Sequence, residues 1–237
     1  MLGIQRPKRK SGRDEAEKPF WISFSDLMTA LMVLFLVAMT VALLAITQEI
    51  SDADKKKIHR KDEITEFLIQ ITTTIKDYPG VVVRGHSIDF GEKARFASSK
   101  HLLTDEQASM LRSFVPKVLA VVREPLGQKW LKRVVVEGFA DQRGTYIQNL
   151  NLSLQRAERV LCVLMANKTG MVDALSEEDR LMVRDIFLVG GSSFNSLKES
   201  LEESRRIEFK LEFLDIGEKR PAPRNAPLDD DSHCPLD

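Results

Sequence analysis

The sequence lacks the short motifs with which enzymes commonly hold a metal ion, a phosphate group or a nucleophile. It contains no Cys-x-x-Cys, no His-Glu-x-x-His and no phosphate-binding loop of the Gly-Lys-Ser type. The four histidines do not cluster along the chain. We therefore expect no metal site and no cofactor, and we interpret the chain as a protein that is not an enzyme.

Cysteine is scarce, with only Cys162 and Cys234 in 237 residues, which excludes a disulfide-rich scaffold. Cys162 lies in a predicted helix, and Cys234 lies near the end of a polar tail. Outside the cytoplasm the two thiols could oxidise, for example between chains. The prediction for Cys162 is a buried free thiol, which is the usual state of a helical cysteine in a core.

The chain also lacks a net charge, since 35 basic residues balance 35 acidic ones, and we predict no direct nucleic-acid partner. Residues 1–19 form a basic tail with six Lys and Arg residues against three acids. No secretory signal peptide with a small-residue cleavage site follows this tail, so we expect an uncleaved anchor. Basic residues flank both sides of the apolar segment, and the positive-inside comparison therefore barely discriminates between orientations.

Only one long hydrophobic run is present, and it predicts a transmembrane helix over residues 20–46. From Leu27 to Ile46 the run is interrupted only by Thr29 and Thr40. Twenty helical residues span about 30 Å, which is the thickness of the hydrocarbon core. Asp26 stands at the mouth of this run, where a carboxylate costs up to about 3 kcal/mol. Such an acid is typical of an ion path.

The residues around this acid form a specific pattern: Trp21, Phe24, Asp26, the run Met28-Thr29-Ala30, Met32 and Phe35. The pattern resembles the membrane segment of the flagellar stator B-subunit family, the MotB-like proteins. The resemblance implies that Asp26 carries an ion, with Trp21 and Thr29 as supporting positions. The alternative is that Ser25 or Asp26 only caps the amino end of the membrane helix.

Beyond the membrane, residues 47–79 predict a helical connector, which either pairs with a second copy or remains a frayed linker. Residues 80–214 alternate strand and helix patterns, which predicts an α+β fold with helices on one face of a mixed sheet. Strands are expected near 81–83, 88–90, 134–136, 186–189 and 207–213, and helices from 104, over about 152–167 and near 176–183. Four prolines and an acidic run indicate a disordered tail over 215–237.

A second pattern begins at the end of the predicted strand 134–136. It comprises Gly138-Phe139-Ala140-Asp141, Gly144, Asn149, Leu152-Ser153, Arg156-Ala157 and Val160. The pattern resembles the OmpA-like peptidoglycan-binding domain, although Phe139 and Ala140 replace the usual His and Thr.

The ligand of that family is the diaminopimelate of a peptidoglycan stem peptide. The resemblance implies that Asp141 accepts from its ammonium group and that Arg156 pairs with a carboxylate. Asn149 or Ser153 is expected to cap the helix, and Leu152, Ser98 and Ser99 to complete the pocket. The alternative is a structural ion pair between Asp141 and Arg156.

Together the two resemblances imply a membrane motor subunit anchored to peptidoglycan. They imply a homodimer within a ring of a MotA-like (ZorA-like) membrane partner, driven by protons or sodium ions. The expected location is the bacterial inner membrane, with a cytoplasmic amino terminus and a periplasmic domain. The short chain favours the ZorB-like stator subunits of the Zorya anti-phage defence system over the flagellar motor. A passive cell-wall tether is the alternative from another class.

Overall fold

The computed structural model describes residues 13–166, 173–222 and 234–236. The chain forms two compact units, residues 1–58 and residues 59–237. The first helix, α1, covers Arg13–Thr74 and so contributes to both units.

In the first unit, α1 is apolar on every side through the predicted membrane segment. The described side chains between Ser23 and Ile58 are all exposed. This helix is long and apolar enough to cross a membrane. The single long apolar helix near the amino terminus confirms that part of the predicted fold.

In the second unit, the last turns of α1 are part of a folded core. Ile64, Phe67, Ile71 and Ile75 are all buried, and Phe67 contacts Phe213 edge to face at 6.0 Å. The predicted helical connector is confirmed, because α1 continues through it to Thr74, and its second half is not a frayed linker. Its apolar stripe is covered by its own domain, which begins about twenty residues earlier than predicted.

A polar cluster around Glu63 holds this part of α1 in place. The Glu63 carboxylate accepts from Lys129 Nζ at 2.6 Å and from Trp130 Nε1 at 2.8 Å, and His59 Nε2 lies 3.3 Å away. The hydrogen bond from Lys129 lowers the pKa of Glu63 below its ordinary value. Desolvation by burial opposes this effect, and the hydrogen bond from Trp130 adds to it.

A lowered folded-state pKa means that this stabilisation is complete above the ordinary pKa of a glutamate and is lost as the pH falls through the folded-state value. We expect Glu63→Gln to lower the stability of the full chain in detergent at pH 7 by about 1–2 kcal/mol. The difference from wild type should shrink below about pH 4, near the reference pKa. Thermal unfolding at several pH values measures both effects. Glu66→Gln, an exposed position on the same helix, is the matched control. An equal loss of stability in Glu63→Gln at every pH would contradict the lowered pKa of Glu63.

Among the described residues of the second unit, the sheet has five strands in the order β1-β2-β5-β3-β4. Only β3 and β4 pair in parallel; the other neighbours are antiparallel. The predicted mixed sheet is confirmed, and each predicted strand is present. The strands are β1 Val82–Arg84, β2 Ser87–Asp89, β3 Leu131–Gly138, β4 Phe187–Gly191 and β5 Ile207–Phe213.

Helices pack on this sheet around a core of phenylalanine rings. The Phe90 ring lies 4.7 Å from that of Phe209 and 5.0 Å from that of Phe114. Helix α2 begins after Thr104 as predicted, with Thr104 and Gln107 forming a capping box. The helices are α2 Asp105–Arg123, α3 Pro125–Trp130, α4 Tyr146–Met165, α5 Glu177–Ile186 and α6 Leu201–Ser204, with a 3-10 turn at Gly91–Ala94.

Helix α4 approaches the sheet closely because a glycine ends β3. A Cβ atom on Gly138 would lie 1.9 Å from the Ser153 carbonyl oxygen, so no larger residue fits there without a shift. This contact fixes the second turn of α4 against the carboxyl end of β3, where Asp141 follows.

The carboxyl-terminal segment makes specific contacts where the structure describes it. Arg220 donates to the carbonyl oxygens of Leu131 and Gly127, each at 3.0 Å, and Lys132 pairs with Glu218. The predicted disordered tail therefore does not start at residue 215, and 223–233 and 237 lie outside the described residues.

The predicted free thiol at Cys162 is wrong. Cys162 forms a disulfide with Cys234, 72 residues further along the chain. Cys162 lies on a half-buried position of α4, where a returning segment can reach its sulfur atom. The described turn after Cys234 is also held by a hydrogen bond from Arg159 to the Leu236 carbonyl oxygen at 2.9 Å.

Candidate functional site

Asp141 lies in the loop that leaves β3, and backbone hydrogen bonds position this loop. Phe139 N–H donates to the Arg206 carbonyl oxygen at 3.0 Å, and Ala140 N–H donates to the Ser193 carbonyl oxygen at 2.8 Å. The Asp141 side chain is only slightly accessible. The Asp141 carboxylate therefore lies at the end of the sheet, next to side chains from other segments of the domain.

Two arginines already occupy the Asp141 carboxylate. Arg143 donates its backbone N–H to Oδ1 at 3.1 Å and its Nη2 to Oδ2 at 2.9 Å, and Arg205 Nη1 donates to Oδ2 at 3.2 Å. Burial alone would raise the pKa of Asp141, but the hydrogen bonds from Arg143 and Arg205 outweigh it and lower the pKa. A ligand ammonium at Asp141 must therefore compete with two guanidinium groups.

Arg156 is the largest fully buried side chain of the described residues. It donates to three carbonyl oxygens: Nη1 to Phe139 at 2.6 Å, Nε to Lys100 at 3.0 Å and Nη2 to Ala97 at 3.3 Å. Its guanidinium also lies 5.0 Å from the centre of the Phe96 ring.

Desolvation lowers the pKa of Arg156 to about 10, although the charge of Asp141 opposes this and that of Arg205 adds to it. The arginine remains a cation at neutral pH. Three of its five N–H donors bond to these carbonyl oxygens. The predicted alternative of a direct ion pair is wrong, because Arg156 bonds to backbone oxygens and Asp141 bonds to other arginines.

The helix that carries Arg156 starts earlier than predicted. Thr145 accepts from the Gln148 backbone N–H, and the Gln148 side chain accepts from Thr145 N–H, so the cap is a Thr-x-x-Gln capping box. Asn149 and Ser153 are therefore not caps. Asn149 Nδ2 donates to the Arg143 carbonyl oxygen at 2.8 Å, and Ser153 Oγ accepts from Ser193 N–H at 3.1 Å.

The loop before α2 brings Ser98 to the site. Ser98 Oγ accepts from Arg143 Nη2 at 3.2 Å. Ser99 is exposed beside it in the left-handed region, with φ of 55°. Leu152 is half-buried on α4. The prediction that these side chains contact a ligand stays a prediction.

The second candidate site is Asp26 on α1. Because α1 begins at Arg13, Asp26 lies well inside the helix, and the alternative that Ser25 or Asp26 caps its amino end is wrong. Thr29 Oγ1 donates to the Ser25 carbonyl oxygen at 2.8 Å, and Trp21 packs edge to face on Phe24. Within the described part of the chain, no side chain donates to the Asp26 carboxylate.

Comparison with known proteins identifies the family of the chain. Residues 5–59 match the family described as the membrane MotB of the proton-channel complex MotA/MotB. A Zorya protein ZorB from Escherichia coli is 42% identical over 223 residues, which cover 93% of this chain and 91% of that protein. The chain belongs to the ZorB family.

Membership of the ZorB family confirms the predicted resemblance to a MotB-like stator subunit of the Zorya type. Two solved structures are also similar. The OmpA-like domain of FopA1 from Francisella tularensis is 20% identical and covers 57% of this chain and 82% of its own, with a TM-score of 0.35. A MotB-like protein from Desulfovibrio vulgaris is 16% identical and covers 65% and 94%, with a TM-score of 0.35.

Sequence reasoning missed two residues of the candidate site. Arg143 is two residues after Asp141, which is the spacing of an Asp side chain that bonds to the backbone two positions on, and that spacing could have pointed to it. Arg205 is the second of these residues, and it reaches Asp141, whereas its neighbour Arg206 is buried and paired with Glu208 at 2.7 Å.

Proposed function

We propose that this ZorB-family chain is the cell-wall-anchored subunit of an ion-driven membrane motor that acts in anti-phage defence. The observation that carries the proposal is Asp26, an acid well inside helix α1 at the start of its apolar run. A carboxylate in that position is costly unless it has a partner or an ion. Membership of the ZorB family favours defence over the flagellar motor.

The apolar surface of α1 supports a partner in the membrane. An apolar membrane helix that carries an acid is normally covered by other helices on the side of the acid. A MotA-like (ZorA-like) ring around two copies of this chain would supply that cover. Proton or sodium binding at Asp26 would then switch its charge, and one charge moved across 100 mV delivers about 2.3 kcal/mol.

The Cys162–Cys234 disulfide supports a periplasmic position for the second unit. Disulfides persist in the oxidising periplasm and are rare in the cytoplasm. With one membrane helix, a periplasmic domain means a cytoplasmic basic tail and an inner-membrane location.

The cluster of Asp141, Arg143, Arg156 and Arg205 supports peptidoglycan as the anchor. A buried arginine whose partners are all neutral carbonyl oxygens is suited to a carboxylate ligand, because an unpaired buried charge is costly. The diaminopimelate of a stem peptide offers such carboxylates. An anchored chain would hold the motor in place while the partner moves.

Co-sedimentation with purified peptidoglycan tests the anchor. We expect the full chain in detergent to pellet with peptidoglycan and to be released by free meso-diaminopimelate. Lysine, which lacks one of the two carboxylates, should release it at least about tenfold less effectively, since one charge-assisted contact is lost. A chain that stays in the supernatant would contradict wall binding.

A further inference from the structure

We propose that Arg143 determines which form of the stem peptide this site accepts. By holding Asp141 in the way a ligand ammonium would, Arg143 leaves the site to recognise carboxylates, and the ligand's amino group is not required. The inference rests on the proposed wall-binding function and names the chemical form of its ligand.

Arg143 is fixed at both its backbone and its side chain. Its N–H donates to Asp141, and its carbonyl oxygen accepts from Asn149 Nδ2 at 2.8 Å. Its guanidinium bridges Asp141 Oδ2 at 2.9 Å and Ser98 Oγ at 3.2 Å. The side chain thus connects the loop after β3 with the loop before α2.

The Asp141 carboxylate has little capacity left for a ligand. Oδ2 accepts from Arg143 Nη2, from Arg143 Nε at 3.3 Å and from Arg205 Nη1, while Oδ1 accepts from the Arg143 N–H. An incoming ammonium would replace charge-assisted bonds that are already made within the chain. The exchange returns little free energy, so the ammonium adds little affinity.

The charge of the cluster favours an anionic ligand. Arg143 and Arg205 contact the Asp141 carboxylate, and the charge of Arg156 also interacts with it. With the exposed Glu202, 3.9 Å from Arg205, three cations face two anions, so the cluster stays positive. A ligand that keeps its carboxylates and loses its ammonium is more negative and fits this charge better.

This preference has a consequence for where the chain attaches. A peptide cross-link in the wall converts the side-chain amino group of diaminopimelate into a neutral amide and leaves the neighbouring carboxylate free. A site that does not need the amino group accepts cross-linked units. The chain would then be anchored in the part of the wall that bears load, as a motor subunit requires.

Three tripeptides test the inference: L-Ala-γ-D-Glu-meso-diaminopimelate, the same peptide with its free side-chain amino group acetylated, and the same peptide with the adjacent carboxylate amidated. Titration into the full chain in detergent gives each Kd. We expect acetylation to change the Kd less than about threefold and amidation to weaken binding at least about tenfold.

Two variants assign the effect to Arg143. In Arg143→Gln, Asp141 loses its main partner, so acetylation should now weaken binding at least about tenfold. Arg133→Gln, an exposed arginine paired with Glu212 elsewhere on the domain, should behave as wild type. A general structural defect would weaken all three peptides equally and would leave the ratios unchanged.

The outcomes separate the two proposals. The role of Arg143 is refuted if wild type binds the free-amine peptide but not the acetylated peptide. It is also refuted if the ratios between the three Kd values are the same in Arg143→Gln as in wild type. In both cases wall binding stands. If wild type binds none of the peptides and no peptidoglycan, wall binding itself fails.

Discussion

Asp26→Asn is expected to abolish phage resistance while leaving the protein in the membrane at its normal level. Asparagine keeps the size of aspartate and most of its hydrogen-bonding ability, but it does not change charge near neutral pH. An ion-carrying role therefore ends with this substitution, whereas assembly with a membrane partner should persist. The measurement is the efficiency of phage plating on cells that carry the complete defence system, with membrane fractions probed for the chain.

Asp54→Asn is the matched control for this prediction. Asp54 lies on the same helix beyond the apolar run, exposed and 3.6 Å from Lys57, so its loss should leave resistance unchanged. Full resistance with Asp26→Asn would sink the ion-driven mechanism and leave the passive tether as the better account. A helix cap does not explain Asp26, because α1 begins upstream of this residue.

The fold could be predicted from sequence wherever a local pattern fixed the element. The apolar run from Leu27 to Ile46 predicts a membrane helix, and the alternating apolar and polar residues of β5 predict a half-buried strand. The end of α1 shows the limit. The apolar stripe of α1 is visible in the sequence. The stripe alone does not show whether a second copy of the chain or the same domain covers it. That choice depends on Phe213, which is about 150 residues away from Phe67 in sequence.

The residues of the candidate site could be predicted from the sequence, but the atoms that they contact could not. Asp141 and Arg156 do lie in one cluster, yet their partners come from elsewhere in the chain. Arg156 bonds to Ala97 and Lys100 on a loop of irregular structure, and Asp141 bonds to Arg205 beyond β4. Backbone carbonyl partners carry no sequence signal, since every residue has one. The disulfide was missed for a related reason: two cysteines 72 residues apart do not reveal whether they meet.

Substitution of Arg156 should disturb both stability and wall binding. Removing the guanidinium in Arg156→Ala leaves the carbonyl oxygens of Ala97, Lys100 and Phe139 without their donor in a buried site. We expect the free energy of unfolding to fall by about 3–5 kcal/mol, which is the range for breaking a buried charged network. Arg133→Ala, which removes an exposed pair with Glu212, should cost less than about 1 kcal/mol.

Arg156→Lys separates binding from folding, because it keeps the charge and loses the planar fork. One ammonium cannot reach the loop at Ala97 and Lys100 and the loop at Phe139 together while also offering two donors to a carboxylate. The variant should fold with a lowered Tm, and its retention on peptidoglycan should fall at least about tenfold as the bidentate contact is lost. Thermal unfolding and co-sedimentation of the full chain measure the two effects. Retention at the wild-type level by a folded Arg156→Lys chain would show that Arg156 only supports the loops, and the ligand carboxylate would then have to be held by Arg143 or Arg205.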